Sequence, residues 1–235
     1  MVQGDKTCTA THSRYIYYTN ASAIPTTIMA SSSSSRTVRI GSIDVGTKNL
    51  AFVILDATTS GNHIVHAELV DLSKSRAGGP TVKYSDRTAE FLVRRFVEER
   101  HHLFADVDAC AIEKQLTRRM LQVQYLLEAV LSPTCKVFQV PAMNVKRMFG
   151  TSRGSRAKNK VVAAKKFRTM LDPAALGRLD RQFKKAHHHD IADASLQALY
   201  VASRHDALVT RWHKERGEVE PDSDTLHLVG KRNDL

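Results

Sequence analysis

A mixed α/β fold, a five-stranded sheet flanked by helices, is what residues 37–214 of this 235-residue chain predict. Three observations carry that prediction. Two apolar runs, Val38–Val45 and Leu50–Asp56, are joined by Gly46-Thr47-Lys48-Asn49, a tetrapeptide with turn chemistry. His63–Leu72 alternates as a half-buried strand does. Two further short apolar runs, Ala109–Glu113 and Cys135–Val140, are separated by residues at helical spacing, the pattern of neighbouring parallel strands.

Between the third and fourth strands lies a loop with Gly78-Gly79-Pro80. A helix then spans about Asp86 to Phe104, burying Phe91 or Leu92, Phe96, Arg100 and Leu103. After the fourth strand Leu116, Met120, Val123, Leu127 and Val130 recur at helical spacing until Pro133. Pro141 stops the fifth strand, and Ala142–Phe149 reads as a short helix closed by Gly150. Thr151–Ala157 is a polar loop, Asn159–Leu171 a basic helix ended by Pro173, and a last helix runs from about His189 past Tyr200. Residues 1–36 are rich in Ser, Thr and Ala and read as a disordered leader or targeting segment. They resemble a mitochondrial transit peptide weakly, and Met29 offers an alternative start. Residues 215–235 read as a polar C-terminal tail.

No uninterrupted apolar run approaches the ~18 residues that span a bilayer, so no membrane association is expected. Cys8, Cys110 and Cys135 are odd in number and lack CxxC spacing, which suits a reduced intracellular compartment rather than a disulfide framework or zinc site. The compartment stays open: cytoplasm at a viral replication site, nucleus or mitochondrion. The net charge is +11, and the window Lys146–Lys185, with thirteen Lys or Arg against Asp172 and Asp180, carries all of it. A concentrated basic segment on a neutral body is the footprint of a polyanion binder.

Four acids form the candidate catalytic and metal-binding set. Asp44 and Glu113 each terminate an apolar strand, and parallel neighbouring strands bring such ends to one sheet edge. Asp190 and Asp193 are three apart and share one face of a helix. Four converging carboxylates raise one another's pKa, a frustration that divalent cations resolve. Oxygen ligands without Cys favour Mg²⁺, with Mn²⁺ able to substitute. Two such ions ~4 Å apart activate a water and stabilise a leaving oxygen in phosphodiester cleavage. Taken alone, Asp190 and Asp193 fit equally well as first-turn residues favoured by the helix dipole. His187, His188 and His189 beside them suggest a transition-metal site as a lesser alternative.

The succession Ile43-Asp44-Val45-Gly46-Thr47-Lys48-Asn49, Ile112-Glu113-Lys114-Gln115 and Asp190-Ile191-Ala192-Asp193-Ala194 resembles the RuvC-type Holliday junction resolvases, nearest their poxvirus and mitochondrial branch. The resemblance covers about residues 38–205. It implies the RNase H-like fold and a homodimeric, Mg²⁺-dependent endonuclease that nicks four-way DNA junctions symmetrically. Asp44, Glu113, Asp190 and Asp193 match that family's catalytic acids.

Asp44, central on the sheet, is the expected bridge between two ions, and Lys114 or Lys160 the expected helper for developing phosphorane charge. DNA contacts are expected from Lys114, Arg118, Arg119, Lys146, Arg147, Arg153, Arg156, Lys158, Lys160, Lys165 and Lys166. Such phosphate contacts give affinity and orientation but little sequence preference. Phe149 reads as a core anchor before a base-stacking residue. The apolar face of Leu116, Met120, Val123 and Leu127 serves equally as core or as dimer interface. Three alternatives compete: an RNase H-fold nuclease on RNA–DNA hybrid or flap, a non-catalytic DNA-binding module, and an actin-like ATPase fragment, whose phosphate hairpin the Asp44 segment also resembles.

Overall fold

The structure, a computed structural model, describes residues 37–58, 61–75, 80–151, 154–206 and 208–209. The expected leader, the expected C-terminal tail, Gly78-Gly79 and Arg153 lie outside these residues, and so does the side chain of Arg156. Strands β1 (Val38–Asp44), β2 (Leu50–Thr58), β3 (Gly61–Val70), β4 (Ala109–Glu113) and β5 (Lys136–Val140) form one sheet in the order β3-β2-β1-β4-β5. β3, β2 and β1 run antiparallel, whereas β4 and β5 join β1 in parallel. The mixed five-stranded sheet expected from the sequence is therefore present, with β1 at its centre.

The β1–β2 turn is as tight as its sequence suggests. A Cβ on Gly46 would lie 2.7 Å from the Asn49 carbonyl oxygen, so a larger residue there would displace backbone. Side chains alternate across the sheet and feed two cores. Ile43, Phe52, Ile54, Cys110 and Ile112 face α1 (Ala89–Glu98), α2 (His101–Phe104) and α3 (Arg118–Leu131). Ile40, Val53, Leu55, Ala109 and Ala111 face α4 (Ala142–Phe149), α5 (Arg156–Arg168), α6 (Pro173–Gln182) and α7 (His188–Ala202).

Several expectations need correction. The helix expected over 86–104 is two helices, because Arg100 leaves helical geometry at φ −123°, ψ 14°. Its guanidinium, 3% exposed, turns inward to hold Glu68 on β3 at 2.7 and 2.9 Å and lies over the Phe96 ring. Leu116 belongs to no buried face: it is 90% exposed, in the loop before α3, while Val123 and Leu127 are core and Met120 packs on the core edge. α5 starts at Arg156, three residues earlier than expected, capped by the Ser155 hydroxyl. α5 ends at Arg168, three residues short of the expected Leu171 and before Pro173 is reached; Pro173 instead opens α6, with Asp172 accepting from the Ala175 N–H at 2.7 Å.

Gly150 closes α4 at φ +67° as expected, and Phe149 is buried in the core as the anchor expected there. The last helix, α7, is buried over most of its surface. It lies over β1, β2, β3 and β4 with α5 and α4 against its other side, and almost every residue from His188 to Val201 is buried. Ala192, Ala194, Ser195 and Ala198 keep it slim enough to sit that deep.

Candidate active site

Alternation places the two strand acids. Ile40 and Ala111 face α7, so Asp44, four residues on, and Glu113, two residues on, project to that same side. Ile43 pairs with Ile112 in parallel register, which sets the next residues, Asp44 and Glu113, side by side at the carboxyl edge of the sheet. Their carboxyls share a hydrogen bond, and α7 brings Asp193 and Asp190 close enough to act on Asp44 electrostatically. All four sequence-predicted acids are thus one group.

The electrostatics of the group follow from its burial. Desolvation, then the negative charges of Glu113, Asp193 and Asp190, push the Asp44 carboxyl well above the usual carboxylate range. Burial and Glu113 raise Asp193 to about 6, against the opposing pull of Lys146 and Lys160. Asp190, 8% exposed, keeps one buried oxygen, Oδ2, without a hydrogen bond. Its Oδ1 faces His189 Nε2 at 3.2 Å and Lys160 Nζ at 3.7 Å. Burial lowers the His189 imidazole despite the opposing pull of Asp190.

Two glutamines hold the carboxylates in place. Gln197, buried and one turn beyond Asp193, donates to the Ile43 carbonyl at 3.3 Å and so ties α7 to the strand that ends in Asp44. Gln115 donates from its side chain to Glu113, while its own backbone N–H donates to Gln124 Oε1 on α3 at 2.7 Å. Sequence reading missed these supports. Gln197 carries a signal, since it continues the Asp190–Asp193 face; the Gln115–Gln124 contact spans a loop and carries none.

The donor set fits a divalent cation. Mutual repulsion among four carboxylates, a raised Asp44 and a buried Asp190 Oδ2 that lacks a hydrogen bond, with His187 Nδ1 3.6 Å away, would each be relieved by a hard cation. Among the described residues no three His, Cys, Asp or Glu side chains stand in a ready coordination array, so the carboxylates are close neighbours and not a closed cage. The histidines do not form a site of their own. His187 and His189 flank Asp190, but His188 points the other way, to Arg168, Asp180 and the Phe183 carbonyl.

The basic residues divide. Lys160 pairs with Asp190 and Lys146 acts on Asp193 through its charge, whereas Lys114 is exposed and its backbone N–H donates to the Val140 carbonyl. Of the two lysines considered as helpers, Lys160 is the one placed at the carboxylates. Arg147, Lys158, Lys165 and Lys166 are exposed. Arg118 stands in solvent 3.8 Å from Asp86, and Arg119 lies over the Tyr84 ring at 5.6 Å. No helix among the described residues is long and apolar enough to cross a membrane.

No known family model and no curated protein sequence matches the chain. Solved structures do. The yeast mitochondrial Holliday junction resolvase Ydc2 is similar with a TM-score of 0.55 and 17% identity, over 80% of this chain and 89% of that one. The fowlpox virus resolvase, determined with Holliday junction DNA, gives 0.52 and 17%, over 73% and 99%. Thermus thermophilus RuvC gives 0.50 and 18%, over 72% and 96%. The chain has the RuvC-like resolvase fold, built on the RNase H-like sheet.

Proposed function

We propose that this protein is a structure-selective endodeoxyribonuclease that resolves four-way DNA junctions by divalent-metal-dependent phosphodiester hydrolysis. The observation that carries the reading is the convergence of Asp44, Glu113, Asp190 and Asp193 at one sheet edge, with Lys146 and Lys160 beside them. The likeness in fold to junction resolvases supports it, since their similarity covers nearly all of each resolvase chain named above.

Asp44, Glu113, Asp190 and Asp193 would hold Mg²⁺, or Mn²⁺ in its place, two ions to a site. When bound, such a pair supplies an activated water and stabilises the leaving oxygen. The chain's own residues do the rest. Asp44, central and flanked by the other three acids, is the natural shared ligand. Gln115 and Gln197 fix the strand and helix acids in register, which keeps the site preorganised. Lys160 offsets charge gathering at the phosphate, and the exposed Lys158, Lys165 and Lys166 hold the backbone without reading sequence. Symmetric nicking requires two such sites, so the reading carries a homodimer; Leu116 and Tyr125, both exposed beside or on α3, suit an interface.

The test is a substrate panel: labelled four-way junction, linear duplex, flap and RNA–DNA hybrid, each with Mg²⁺ or EDTA. Paired symmetric nicks in the junction alone, lost in EDTA, are expected. Cleavage confined to hybrid or flap would move the protein to another RNase H-fold activity, and binding without cleavage would make it a DNA-binding module.

A further inference from the structure

Next to the carboxylates lies a groove of about 740 Å³ between α5, α6 and the 3-10 turn Lys185–His187 that precedes α7. Val161, Ala164 and Leu176 line its apolar floor, and Lys165 and Lys185 its rim. Val161 is 68% exposed, although Ala163 and Phe167 of the same helix are buried in the core. Val161, Ala164 and Lys165 recur at positions i, i+3 and i+4 of α5; Val161 and Lys165 are exposed, while Ala164 and Leu176 are partly buried against the core, so the groove lies along the core's outer edge. Among the described residues no carboxylate lines the groove. One end is formed by Lys160 and His189, which, with His187, also flank Asp190.

A ligand for this groove needs an apolar body and an anionic edge, which a nucleotide supplies. The volume lies within the roughly 300–1,000 Å³ of pockets that take small organic groups. An acidic peptide would satisfy the same charges. A DNA strand does so while also passing the carboxylates, because the groove and the acids share Lys160 and His189. Extruding a base costs a few kcal/mol, least where the base is already unpaired, as at a branch point.

We propose that the groove takes one unpaired base of the strand being cut, laid against Val161, Ala164 and Leu176, with its neighbouring phosphate on Lys165 or Lys185. The inference rests on the nuclease reading above and adds to it a pocket for a base beside the scissile phosphate.

The experiment uses the full chain and four-way junctions carrying 2-aminopurine at single positions around the crossover, with Ca²⁺ in place of Mg²⁺ to hold the bound state. A fluorescence change confined to one or two positions is expected on binding. Val161→Asp, an exposed site that leaves folding intact, should abolish that change and slow single-turnover junction cleavage in Mg²⁺ by about tenfold, in line with the loss of one stacked base. Val162→Asp puts the same charge on the neighbouring residue, outside the groove lining, and should keep the fluorescence change. If the wild type cuts junctions but no position changes, as for a groove that serves a protein partner, the inference is wrong and the nuclease reading stands. Persistence of the change in Val161→Asp would also overturn it. A wild type that neither binds nor cuts junctions overturns the nuclease reading, and the inference with it.

Discussion

Replacing Asp193 by Asn should make the protein more stable while removing its proposed activity. Asp193 is mostly buried and its carboxyl is raised from 3.8 to about 6, first by burial and then by Glu113. A folded-state pKa above the unfolded value means that ionisation opposes folding. The penalty is absent below about pH 3, grows between about pH 4 and pH 6, and is complete above that. The gap between 3.8 and about 6 corresponds to about 3 kcal/mol. Asparagine keeps the shape and discards the charge, so in EDTA near pH 8 the variant should gain up to about 3 kcal/mol. For a domain of this size that is roughly 6–12 °C in melting temperature. Near pH 5 the gain should fall to about half, because the wild-type carboxyl is by then largely protonated when folded. Adding Mg²⁺ should raise the wild-type melting temperature more than the variant's, since the wild type keeps all four ligands. Thermal melts at the two pH values measure each quantity. A variant no more stable than wild type near pH 8, or an equal gain at both pH values, would refute the reasoning.

Glu68 gives the opposite pH dependence. Burial raises it, but His66 and Arg100 outweigh burial and hold it at about 2. Its ionised form therefore contributes about 3 kcal/mol at neutral pH, lost as pH falls from about 4.5 through about 2; Glu68→Gln should flatten this part of the acid-unfolding profile. Arg100→Met leaves Glu68 buried without its main partner and should destabilise by about 3–5 kcal/mol in denaturant titrations. Gln197→Leu removes the hydrogen bond that ties α7 to β1. It should cost only about 1 kcal/mol of stability, yet raise the Mg²⁺ concentration needed for half-maximal cleavage, a change that loss of stability alone would not produce. Neutralising Lys165 and Lys166 should weaken DNA binding across sequences and flatten the slope of log affinity against log salt by about 1–2; an unchanged slope would remove them from the interface.

The grouping of the four carboxylates was more legible in the sequence than parts of the fold around them. Strand acids are readable because period-2 alternation fixes the side on which a terminal residue projects, and Asp44 and Glu113 obey it. Asp190 and Asp193 are readable because helical spacing puts them on one face. What escaped depends on partners distant in sequence. The break between α1 and α2 answers to Glu68, 32 residues earlier, and no local feature of Glu99-Arg100-His101 announces it. α6 was hidden because Pro173, read as the stop of the preceding helix, is the first residue of the next, while α5 already ends at Arg168. Leu116 fitted the helical spacing of α3 but lies in the loop before it, so periodicity ran past the true start. The groove beside Asp190 depends on how α5, α6 and the 3-10 turn meet, which no spacing within one element records.

The most direct test of the metal-carboxylate claim is single-turnover cleavage of an end-labelled four-way junction in Mg²⁺ by the wild type and Asp44→Asn, with binding followed in parallel. The expected result is symmetric nicks by the wild type and none detectable by the variant, which binds the junction as tightly as the wild type or more so. Cleavage by Asp44→Asn at a rate near that of the wild type would contradict the assignment of this carboxylate group as the catalytic centre.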